Sequence, residues 1–188
     1  MAPSTEDNDD VLLAGRYGDL HDIREYVNQH GAGTLATIRD ENENTILHMV
    51  CGNGHIDVLE YLLPLVPSSL LSAQNSAKST PLHWAALNKH LDVIQKLVEY
   101  PGGPGIDLID IKNNAGHTPL GEAELAEWDE GATWLVKMMN LDAEDAEKEK
   151  DIAEDEVGDV CQDIEVEIQD ADGQVAKMSI SGGSSKSS

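Results

Sequence analysis

His48, Cys51 and His55 stand at i, i+3 and i+7, a spacing that would put three metal-ligating side chains on one face of a helix. The same two histidine positions recur 35 residues later as His83 and His90, with no cysteine between them. A repeated structural position therefore explains the histidines better than a metal site does. Asp170-Ala171-Asp172-Gly173 has the look of a calcium loop, but the upstream ligand and the downstream glutamate are missing. Gly102-Gly103 is followed by no Gly-Lys-Ser/Thr, so there is no phosphate loop. Carboxylates are plentiful everywhere and single out no acid–base pair. The sequence predicts no catalytic residue, no metal ligand and no cofactor, and hence not an enzyme.

Charge points elsewhere. The 188 residues carry 36 acidic against 12 basic side chains, a formal net charge of -24, and no phenylalanine. Such a chain repels phosphate, which argues against direct binding to nucleic acid or an anionic membrane and favours a basic protein as partner. Cys51 and Cys161 are too few and too far apart for a disulfide framework. The opening Met1 to Asp10 is polar and acidic, unlike a signal peptide. The most apolar stretch, Val58 to Val66, is short and interrupted by Glu60 and Pro64. A soluble intracellular protein, monomeric when unbound, is expected.

The elements that position these residues are repeats. Asn44-Thr45-Ile46-Leu47-His48 recurs as Ser79-Thr80-Pro81-Leu82-His83 and as His117-Thr118-Pro119-Leu120-Gly121, with threonines 35 and 38 residues apart. Threonine suits a helix N-cap, and proline suits the first helical position because its missing N–H would be orphaned there anyway. A second apolar-periodic stretch follows each motif, His55 to Leu63, His90 to Val98 and the more diverged Trp128 to Val136. Superposing Gly18 on Gly54 yields an N-terminal copy at a 36-residue offset, without the threonine motif. Each helix pair has an apolar face too large to hide alone, so the pairs must stack. The pattern is identified as that of ankyrin repeats: an all-α solenoid of about four repeats over Asp7 to Asn140, within a domain spanning 1–141. Pro64 to Asn75 and Pro101 to Asn113 read as inter-repeat loops, and Pro101-Gly102-Gly103-Pro104-Gly105 cannot be helical.

From residue 142 the character changes. Asp142 to Asp172 holds 15 acidic residues against Lys148 and Lys150, and Ser179 to Ser188 is rich in Ser and Gly. The segment 142–188 is expected to be a mostly disordered acidic tail. Within it Ile164, Val166 and Ile168 alternate with Glu165 and Glu167, and Asp172-Gly173 could close a hairpin over 164–180, marginal in water on its own.

Ankyrin stacks present turn tips and the inner faces of first helices as one concave surface. Counting from each threonine places Glu41, Asn42, Asn44, Asn53, Ser79, Leu87, Asn88, His117 and Leu125 on it. Met49, Trp84 and Glu122 share one inner-helix position of successive repeats, and Arg16 and Tyr17 fall at the first repeat's equivalent of Asn53. Trp84 has two readings, packing between repeats or an aromatic anchor for a Lys or Arg.

Leu82-His83-Trp84-Ala85-Ala86-Leu87-Asn88 with Leu91-Asp92-Val93, and Asn113-Asn114-Ala115-Gly116-His117 with Glu122-Ala123-Glu124, resemble the third and final repeats of a narrower family. This is the family of fungal ankyrin-repeat chaperones dedicated to the small-subunit ribosomal protein S-three. The acidic opening and tail agree, while the first repeat and the sequence beyond Asp155 match only in character. The resemblance implies a non-catalytic protein that captures this newly made basic ribosomal protein, keeps it soluble and accompanies it from cytoplasm to nucleus for small-subunit assembly. A generic ankyrin adaptor or inhibitor, holding a signalling or transcription protein, is the alternative.

Overall fold

The computed structural model describes residues 3–140 and the strands Glu165–Gln169 and Val175–Ser179. The expected disorder of the tail, and Cys161, fall outside the described residues. The chain divides into two compact units, Met1–Glu144 and Asp145–Ser188.

The first unit is a stack of four helix pairs. They are α1 (Thr5–Tyr17) with α2 (Leu20–His30), α3 (Ile46–Asn53) with α4 (Ile56–Leu62), α5 (Pro81–Leu87) with α6 (Leu91–Val98), and α8 (Pro119–Leu125) with a helix over 129–140. The short α7 (Asp107–Asp110) precedes the last pair. First helices pack in sequence, α1 on α3, α3 on α5 and α5 on α8.

Local chemistry sets each start. Thr45 Oγ1 accepts from the His48 N–H at 3.4 Å and Thr118 Oγ1 from the Gly121 N–H at 3.2 Å, relieving N–H groups that a helix leaves orphaned. Pro81 and Pro119 open α5 and α8. α1 begins on a capping box between Ser4 and Asp7, in which the Ser4 N–H donates to the carboxylate at 2.7 Å, as α3 and α5 do with His48 and His83 in the place of the carboxylate.

One apolar core runs the length of the stack. Leu47 and Leu82, at the same motif position, are fully buried, as are Ile23, Leu59, Leu62, Ile94 and Leu97 from the second helices. The segments read as inter-repeat loops are more than loops. A 3-10 turn at Ser68–Leu70 and helix α7 bury Leu70, Leu71, Leu108 and Ile109 in the same core. The Pro101–Gly105 run between them is non-helical.

Two histidine ladders tie neighbouring repeats. In the first, the Thr45 N–H donates to His48 Nδ1 at 3.1 Å, which leaves Nε2–H to donate to the Ser79 carbonyl of the next repeat at 2.9 Å. The pattern recurs from Thr80 through His83 to the His117 carbonyl at 3.1 Å. In the second ladder His55 Nε2 donates to the Arg16 carbonyl at 2.9 Å and His90 Nε2 to the Gly52 carbonyl at 3.2 Å. Each of these rings lies over the left-handed glycine ending the previous first helix. A Cβ at Gly54 (φ 77) would sit 2.6 Å from His90 Nδ1, so glycine is required there for conformation and for space.

In the second unit, β1 (Glu165–Gln169) pairs antiparallel with β2 (Val175–Ser179), in the register Glu165 to Ser179 and Gln169 to Val175.

Candidate partner-binding groove

The turn tips between repeats are built from one repeated device. Asp40 Oδ1 accepts from the Asn42 and Asn44 N–H groups at 2.8 Å each; Asn75 Oδ1 accepts from Ala77 and Ser79, and Asn113 Oδ1 from Ala115 and His117, all at 3.0 Å. Bonds also run from tip to tip. The Ser76 N–H donates to the Asn42 carbonyl and the Asn114 N–H to the Ala77 carbonyl, both at 2.9 Å. Asn44 joins them from beneath, its Nδ2 donating to Asp40 and its Oδ1 accepting from Asn75 Nδ2, each at 2.8 Å.

Between these tips and the first helices lies a cleft of about 310 Å³. Of the residues expected on the binding face, it brings together Arg16, Asn42, Asn44, Met49, Asn53, Trp84 and Asn88. Trp84 is half-buried, meeting the His48 ring edge-on at 5.7 Å and lying against Gly52, where a Cβ would come within 2.7 Å of the indole. One side of the indole therefore packs between repeats, as the first reading expects, and the rest lines the groove, where it is available to a partner. Asn53 and Asn88 each donate Nδ2 to the carbonyl four residues back, Met49 at 2.8 Å and Trp84 at 2.9 Å. Both residues line the cleft together with Asp40.

Other expected residues fall differently. Asn44 is only 4% exposed, with its amide engaged at both ends. It lines the floor of the groove and braces the two tips from below. Ser79 is half-buried, its N–H held by Asn75 and its carbonyl by His48. Glu122 is turned onto its own repeat, accepting from Asn113 Nδ2 at 2.7 Å and lying 3.3 Å from His117 Nδ1. Tyr17, 72% exposed, does not line the groove but a separate cleft at the outer end of the stack. Glu41 is exposed at its tip, and Leu87 and Leu125 are exposed at the ends of α5 and α8.

Two groove residues escaped the sequence reading, Asp40 and Gly52, as did Leu13 on the groove's rim. The signal for Leu13 was present: the 36-residue offset that superposes Gly18 on Gly54 places Leu13 on Met49. Asp40 precedes Thr45 by five residues, as Asn75 precedes Thr80 and Asn113 precedes Thr118.

The residues that suggested chemistry have structural duties. Burial is the main cause pushing the His48 pKa down from 6.5 to about 4, so the ring is neutral, and both of its nitrogens are engaged within the repeat ladder. His83 is lowered for the same first reason. Cys51 is fully buried, which raises its thiol pKa and leaves it protonated. Among the described residues, His21, Asp22 and Glu25 bring ligand atoms within 4.8 Å of one another, all on the exposed face of α2.

A stack of helix pairs with hydrogen-bonded tips and a cleft lined by neutral amides, Trp84, Met49, Arg16 and Asp40 defines a repeat protein built for holding another protein. The sequence model for ankyrin repeats (three copies) matches residues 11–110, and this chain belongs to the ankyrin-repeat family. It is 35% identical over 155 residues to the ankyrin repeat-containing protein YAR1 of Saccharomyces cerevisiae, covering 77% of this chain and 75% of that protein. Among solved structures it matches the crystal structure of the yeast ribosomal protein Rps3 in complex with its chaperone Yar1. The TM-score is 0.67 at 30% identity, over 72% of this chain and 94% of the matched chain.

Proposed function

We propose that this chain is a dedicated, non-catalytic chaperone of the small-subunit ribosomal protein Rps3. It binds the newly made protein, keeps it soluble and escorts it through cytoplasm and nucleus to small-subunit assembly. The observation that carries this reading is the likeness, in sequence and in fold, to a chaperone solved on Rps3. Charge gives it a physical basis. A ribosomal protein away from RNA exposes basic surface that aggregates or binds the wrong polyanions, and a chain of net charge -24 with an acceptor-rich groove occupies that surface. The free chain is a monomer, since like-charged copies repel.

Purified Rps3 diluted to physiological salt should scatter light as it aggregates. An equimolar amount of this chain is expected to suppress the scattering and to elute with Rps3 as one complex. Unchanged aggregation and separate elution would count against the assignment, and a different protein co-purifying from cells would favour a general adaptor.

A further inference from the structure

Ankyrin stacks need terminal repeats with a polar outer face, because no further repeat covers them. The outer face of the first repeat is mostly polar, yet two large apolar side chains stand exposed in it. At its outer end a cleft of about 480 Å³ lies between α1 and α2, and the apolar Leu13 (48% exposed) and Tyr17 (72% exposed) line it. Asp10, Asp19, Asp22 and Glu25 also line it, and no lysine or arginine does. Nor is the cleft isolated. Leu13 also lines a smaller neighbouring cleft together with Arg16, Asp40 and Met49, and those three line the main groove. A single path of depressions therefore runs from Trp84, past Met49 and around Leu13, to the acidic end.

Resting on the Rps3 reading, we propose that the client occupies this path beyond the first repeat and seats a lysine- or arginine-bearing segment in the α1–α2 end cleft. Long basic side chains suit the walls: their aliphatic stems lie on Leu13 and Tyr17 while the charged heads reach the carboxylates. A second copy of this chain is the wrong sign, since each copy carries a net charge of -24. So is the segment Asp142 to Asp172, with 15 acidic residues against two lysines.

The test uses the full-length chain and purified Rps3. The double variant Asp10→Lys, Glu25→Lys reverses two exposed charges of the cleft that take no part in helix capping. It is expected to bind Rps3 about tenfold more weakly than wild type, with its melting temperature little changed. A photoreactive benzoylphenylalanine placed at position 17 should cross-link to Rps3. If wild type binds Rps3 but the variant stays within about twofold of it, and position 17 captures no Rps3, the end cleft is not a client site while the chaperone reading stands. A cross-link from position 17 to a second copy of the chain would also overturn it. Failure of the wild-type chain to bind Rps3 overturns both. Should the double variant melt early, the cross-link alone decides, its presence supporting the proposal and its absence overturning it.

Discussion

Replacing His48 with alanine is expected to lower the folding free energy by about 3–4 kcal/mol, read by urea denaturation at pH 7. The ring is fully buried, and its loss leaves a cavity, an unpaired Thr45 N–H and a Ser79 carbonyl without its cross-repeat donor. The same residue gives the fold a pH window. With a folded pKa of about 4 against 6.5 in the unfolded chain, His48 stays neutral when folded while the unfolded chain takes up a proton. This contribution is fully present above pH 6.5 and is lost as pH falls through 4, a difference of roughly 3 kcal/mol. His83 acts in the same direction. Carboxylates titrate in the same range, so the comparison is with His48→Asn. Wild type should lose about 3 kcal/mol more than the variant between pH 7 and pH 4, and parallel profiles would remove His48 from the account.

Trp84→Ala should act on both folding and binding, and more strongly on binding. The indole packs against Gly52 and the His48 edge but is only half-buried, so a stability loss of about 1–2 kcal/mol is expected, below that of a fully buried tryptophan. In the groove it is the one large aromatic surface, surrounded by Asn53, Asn88 and Asp40 acceptors that suit a basic partner. Its removal should weaken Rps3 binding at least thirtyfold, about 2 kcal/mol or more. Affinity and melting are to be measured on the same preparation, well below the melting temperature. Unchanged affinity in a destabilised variant would reduce Trp84 to packing.

The helical repeat architecture could be read from the sequence because its determinants are local. The threonine cap, the histidine three residues on and the glycine after the first helix fall within ten residues of one another; the threonine recurs at 35 and 38 residues, the histidine at 35 and the glycine at 36. What could not be read depends on partners far along the chain. Asn44 has the composition of a tip residue, but its burial comes from Asn75, 31 residues away. Glu122 follows Met49 and Trp84 in register, yet the pull of Asn113 and His117 turns it aside. Tyr17 aligns with Asn53, yet its side chain lies on the α1–α2 cleft and not on the groove. The inter-repeat segments carry no helical period long enough to notice, and only packing against the core orders Leu70 and Ile109.

Hydrogen exchange on the full chain, alone and saturated with Rps3, tests most directly whether the concave groove holds the client. The amides of the tips, residues 40–44 and 75–79, together with the groove side of α3 and α5, should exchange more slowly in the complex. Protection confined to the second helices α4 and α6, with the tips exchanging as in the free chain, would contradict the account.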